Sequence, residues 1–109
     1  MFNKREIQIK ERIQERYDIT EELYTAWFTK NSAVLVERDR FYQTEHIEKH
    51  RAISYLLDKG YIIAQPVEKK PEMVAVSITS EGIDFYEQGY LSGKANGWQI
   101  VIEQKDSEE

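Results

Sequence analysis

The hydrophobic period of this chain switches twice between Thr44 and Gly89, and that switch limits the folds open to it. From Thr44 to Lys59 the apolar residues recur at helical spacing, with Ile53 at the centre of a stripe flanked by Leu56 and Leu57. Gly60 follows, and glycine takes up the left-handed conformation that ends a helix at no steric cost. From Tyr61 the pattern alternates. Tyr61 to Val67 reads as one strand and Met73 to Thr79 as another, with Val74, Val76 and Ile78 on one face. The linking EKKPE (Glu68 to Glu72) is a turn with Lys69 and Lys70 at its tip. Pro66 lacks the N–H that a ladder needs, so its strand lies at an edge or stops there. Thr79 or Ser80 then caps a short helix through Gln88, closed by Gly89. Helix, glycine stop, hairpin and capped helix in succession predict an α+β domain.

Upstream, Phe2, Ile9, Ile13 and Tyr17 fall on one stripe at 100° per residue, which predicts an amphipathic helix from about Asn3 to Tyr17. Ile7 lies about 120° from that stripe and is a candidate contact to a partner. Asp18 followed by Glu21 resembles a capping box and predicts a second helix to about Lys30, burying Leu23, Tyr24, Trp27 and Phe28. Residues 33–43 (AVLVERDRFYQ) admit two readings. Val34, Leu35 and Val36 favour a short strand or extended connection followed by a helix with Thr44 as N-cap, yet nothing between Val36 and Gly60 forbids one long helix. Near the C-terminus, Trp98 to Gln104 (WQIVIEQ) alternates like one more strand. It either completes the domain's own sheet or pairs with another copy to give a homodimer. The expected organisation is one domain over residues 1–104 and an acidic, frayed tail at 105–109.

A chain of 109 residues supports one hydrophobic core and no second site-bearing domain. The absence of cysteine excludes disulfides, thiolate metal sites and thiol nucleophiles. The N-terminal MFNKREIQIKERIQER is charged throughout, and no apolar run approaches the ~20 residues that span a bilayer, so a cytoplasmic protein with no membrane partner is expected. Net charge is -5 and unevenly distributed. Residues 1–51 hold ten basic and ten acidic residues, whereas residues 52–109 hold five against ten, so the whole acidic excess lies in the second half.

The run YLLDKGYI, then a short hairpin, then ITSEGIDFYEQG, resembles the winged-helix superfamily of small prokaryotic regulators. The similarity covers roughly Thr44 to Gly89 and extends to the MarR and PadR types and to small uncharacterised winged-helix proteins of phages and mobile elements. It implies a mainly helical α+β winged helix. The helix ending at Gly60 would be the recognition helix, the hairpin the wing, and Thr79 to Gly82 the junction into the next helix. It also implies DNA binding by a transcriptional regulator acting as a dimer.

Phosphate contacts dominate the affinity of such proteins, which makes basic residues the first candidates. Arg51 and Tyr55 would act on the recognition helix and Lys69 and Lys70 at the wing, with Arg38, Arg40 and Lys49 as supporting phosphate contacts. Acids offset them. With Ile53 at the core centre, the outward face of that helix presents Glu48, Arg51, Tyr55, Asp58 and Lys59, and Glu68 and Glu72 bracket the wing lysines. The competing reading is an acidic winged-helix module that binds a protein, an accessory or inhibitory protein of a phage or mobile element, and no DNA. Unplaced apolar residues (Ile7, Ile47, Tyr55, Tyr90, Leu91, Trp98) favour it. Catalysis is not expected: there is no phosphate-binding glycine loop and no nucleophile elbow. His46 and His50 stand four apart, but no third His and no Cys completes a metal site, so neither a metal nor a cofactor is expected.

Overall fold

The computed structural model describes residues 3–42 and 45–93. The chain is α+β, in the order α1 (Lys4–Lys30), β1 (Val34–Glu37), α2 (Arg38–Tyr42), α3 (Ile47–Asp58), β2 (Ile62–Val67), β3 (Lys70–Ile78) and α4 (Ser80–Leu91). The strands form one antiparallel sheet in the order β1-β3-β2. Register places Val34 opposite Val76 and Val36 opposite Val74 on one side, and Ile62 opposite Ile78 on the other. The inward faces of all three strands therefore point to the same core. There Val74, Val76 and Ile78 meet Ile62, Leu56 and Leu23, and Leu56 is completely buried.

The N-terminal region is one helix where the sequence predicts two. No Gly or Pro occurs between Lys4 and Lys30, and the Asp18 carboxylate accepts from the Gln14 amide at 2.9 Å instead of capping a new N-terminus. Thr20, fully buried, is satisfied within the helix because its hydroxyl donates to the Arg16 and Tyr17 carbonyls, both at 3.1 Å. Asn3 caps the start by accepting from the Glu6 N–H, and left-handed Asn31 (φ 51°) ends the helix, its N–H bonded to the Trp27 carbonyl. Leu23 is buried and Tyr24 half-buried as expected, but Trp27 and Phe28 are exposed, the latter by 59%. They occupy the last turns of α1.

Val34 to Val36 do form a strand, and a short helix that the sequence did not predict, α2, follows. The cap of α3 is His46, whose Nδ1 accepts from the Lys49 N–H at 3.3 Å; Thr44, the expected cap, lies outside the described residues. Gly60 is left-handed (φ 74°) and stops α3, with the Gly60 and Tyr61 N–H groups returning to the Leu57 and Leu56 carbonyls. β2 is an edge strand and accommodates Pro66, with a register shift between Pro66 and Val67. The turn is shorter than expected: Glu68 and Lys69 alone lie between the strands, Lys69 is left-handed (φ 66°), and Lys70 already belongs to β3.

Thr79 joins the two ends of this unit. Its hydroxyl donates to the Gly60 carbonyl, its oxygen accepts from the Gly82 N–H at 3.0 Å, and its own N–H donates to the Tyr61 carbonyl. Gly82 is required at this junction, since a Cβ there would run into the Tyr61 carbonyl and the Ile78 side chain. Gly89, expected to close α4, sits inside it. The Tyr17 ring packs directly over its Cα, where any side chain would collide, and the helix continues to Leu91 with left-handed Gly93 beyond the Ser92 cap. The expected strand Trp98 to Gln104 and the tail at 105–109 lie outside the described residues. Among the described residues no helix is long and apolar enough to cross a membrane.

Candidate nucleic-acid interface

α3 is rotated relative to its expected orientation. Its buried residues are Ala52, Ile53 and Leu56, so the buried stripe is centred about 50° from Ile53 toward Ala52. The cause is α1, which packs across that flank. Arg51 and Asp58 remain on the exposed stripe, together with Ile47. Tyr55 does not: it is half-buried beneath the guanidinium of Arg16, 3.9 Å from its ring centroid, with the Lys59 ammonium 5.7 Å away. Tyr55 is thus a packing residue between α1 and α3 in this arrangement.

Glu48 also faces α1. Arg12 Nε donates to one of its oxygens at 3.1 Å and Arg51 Nη1 to the other at 3.2 Å. The Arg12 hydrogen bond, reinforced by the charges of Arg12 and Arg51, holds the Glu48 carboxyl below the usual carboxylate range. Arg12, Arg16, Glu48, Arg51 and Ala52 line one open cleft. Arg12 and Arg51 share that one carboxylate and Arg16, over the Tyr55 ring, lines the same cleft, so three guanidiniums stand against one acid there. The Arg12 and Arg51 side chains are 42% and 61% exposed, so both still present N–H donors to solvent. Sequence reading missed Arg12 and Arg16 because they sit in a helix whose charges alternate, and nothing local reveals that α3 lies alongside.

The other expected contacts separate into two places. Arg38 and Lys69 line one groove between α2 and the hairpin, where Asp39 is the acid. Arg40 and Lys49 line a second cleft, between α1, β1 and α3, shared with Glu22 and Glu37. Lys70 is exposed at the start of β3. Among the described residues none of Arg38, Arg40, Lys49, Lys69 and Lys70 makes an ion pair, so these bases are not consumed internally. The two histidines are not a pair on one helical face: His46 is the cap of α3, and the buried Nδ1 of His50 has no hydrogen-bond partner. Among the described residues no group of three His, Asp or Glu is gathered as a metal site would require. The chain matches no protein-family model, no curated protein and no solved structure.

Proposed function

We propose that this chain is a small winged-helix DNA-binding protein acting as a transcriptional regulator, with no catalytic role. The element order supports that reading: α2 and α3 stand in succession across residues 43–46, and the β2–β3 hairpin follows α3 directly. In it, α3 approaches the duplex with Arg51 and the hairpin follows the backbone with Lys69 and Lys70. Arg38, Arg40 and Lys49 reach flanking phosphates. Tyr55 contributes through its packing against Arg16.

The observation that carries the proposal is the cleft in which Arg12 and Arg51 share the Glu48 carboxylate and Arg16 lines the same wall. Two of these arginines already spend one N–H on a carboxylate oxygen, and guanidinium presents the same fork geometry to a phosphate. The cleft therefore suits an anionic backbone better than the balanced charge counts of this region suggest. Binding to a mixed-sequence duplex at ~50 mM salt, where phosphate contacts are strongest, tests it. Saturable, salt-sensitive binding is expected; no detectable binding at that ionic strength overturns it.

The second reading, a protein-interaction module without DNA affinity, draws on the acids of α4, which carries Glu81, Asp84 and Glu87 and no base. A retained protein partner in the absence of any DNA affinity would favour it.

A further inference from the structure

The core ends at Val74, and the hairpin runs on past it. Val74 is buried and stands opposite Pro66 in the ladder, whereas Pro66, Lys69 and Pro71 are exposed. α2 faces this projecting end. Between them lies a groove of about 670 Å³, lined by Arg38 and Tyr42 from α2 and by Pro66, Lys69, Pro71 and Met73 from the hairpin. That volume is in the range of small-ligand sites, about 300–1,000 Å³. The Arg38 guanidinium and the Lys69 ammonium set two positive charges against the single carboxylate of Asp39, and among the described residues neither makes an ion pair. The walls are apolar and largely flat: two proline rings, the Met73 side chain and the Tyr42 ring. That ring is 41% exposed and is held 4.9 Å from Phe41, which packs against the core.

Cations beside a stackable apolar surface suit a ligand that is planar and carries phosphate. A nucleotide is both: its base stacks on an aromatic side chain whatever the base, and its phosphates follow the basic groups. A peptide strand fits less well, because strand addition draws on main-chain donors and neither Pro66 nor Pro71 has an N–H to give. Inside a duplex the base faces are covered by their neighbours, so the Tyr42 ring can receive only an unpaired base. We propose that the groove between α2 and the hairpin takes an unpaired nucleotide, and that the chain prefers DNA in which a duplex continues into a single strand. This inference rests on the DNA-binding reading above. There α3 and the arginine cleft hold the duplex, Lys69 and Lys70 lead the backbone along the hairpin, and the groove receives the strand where pairing ends.

Fluorescence anisotropy with the full chain tests it on one duplex in three forms. The first is blunt, the second carries about ten unpaired thymidines on one strand, and the third carries the same number of abasic residues, which keep the phosphates and lack the bases. Both strand polarities are used. The thymidine extension should bind about tenfold tighter than the blunt duplex in at least one polarity, and the abasic extension should recover little of that gain. Tyr42→Ala should lose the gain and bind the blunt duplex as the wild type does, whereas Tyr42→Phe, which keeps the stacking face, should retain it. Circular dichroism shows that each variant is folded, and the abasic comparison needs no variant. An equal gain from the abasic extension overturns the proposal and leaves the groove a phosphate contact alone. A folded Tyr42→Ala that keeps the gain overturns it too. Blunt-duplex binding with no gain from any extension overturns it while DNA binding stands, and gives the groove to another occupant such as a protein segment. No affinity for any of the three forms overturns both readings together.

Discussion

α1 is held on its two flanks by opposite kinds of chemistry. Toward α4 the contact is aromatic and close: Tyr17 stacks on Phe85 at 4.5 Å with the rings nearly parallel, Tyr61 stacks on the same ring at 4.4 Å, and Gly89 lies under Tyr17. Toward α3 it is ionic and half-open, made of Arg12, Arg16, Glu48, Arg51 and the half-buried Tyr55. The first kind of contact stabilises because it excludes water and tolerates no change of shape. The second contributes little to stability, since exposed ion pairs gain little over their hydrated forms, and its groups can exchange one anion for another. Function is expected on the second flank for that reason.

Steric changes on the α4 side should have the largest effects. Gly82→Ala and Gly89→Ala each force a methyl group onto atoms that cannot retreat, a backbone carbonyl in one case and a buried ring in the other. Each should lower unfolding free energy by about 3 kcal/mol in urea titrations. A loss below about 1 kcal/mol at Gly89 would mean that the α1–α4 contact is looser than described, and one at Gly82 that the junction of α4 with Tyr61 and Ile78 is. On the α3 side, Glu48→Gln should leave the thermal midpoint nearly unchanged while tightening DNA binding, because it removes the one carboxylate that competes with phosphate for Arg12 and Arg51. Weaker binding by that variant would make Glu48 a positioning residue instead of a competitor.

The flanks should also part company with pH. Burial, and then the neighbouring Glu21, push the Tyr86 hydroxyl up from 10.0 to about 12. Its contribution to stability is complete below pH 10 and is lost as pH rises from there through about 12. The Glu48 carboxyl is shifted the other way, so its contribution is present above 4.5 and is lost as pH falls below that value. Thermal midpoints followed from acid to alkali should therefore fall at both ends. Tyr86→Phe should flatten part of the alkaline limb, which Tyr17 and Tyr24 share because they are shifted the same way, whereas Glu48→Gln should alter the acid limb only slightly, as befits an exposed ion pair. Lys69→Gly relieves left-handed backbone in the hairpin turn and should raise stability by at most about 1 kcal/mol in urea titrations.

What could be read from sequence was local. Gly60 marks a helix end because left-handed backbone belongs to glycine, Thr79 marks a helix start through its hydroxyl, and alternation exposes the inward face of β3. Gly89 has the same local look as Gly60 but serves a contact with Tyr17, seventy-two positions earlier, which no local pattern encodes. The continuity of α1 was obscured by Asp18 and Glu21, whose capping pattern is outweighed by unbroken helix formers on either side. The arginine cleft was legible only in part. Arg51 stands out on α3, whereas Arg12 reaches Glu48 across a separation of 36 residues, and that meeting exists only once the helices pack.

The central claim is that this cleft takes phosphate. Its most direct test is the salt dependence of duplex binding, followed by fluorescence anisotropy, for the wild type and for Arg12→Ala, Arg16→Ala and Arg51→Ala. The account predicts a linear fall of log affinity with log salt, with each substitution making the slope shallower by about 0.9. Three folded variants that bind with the slope of the wild type would contradict it.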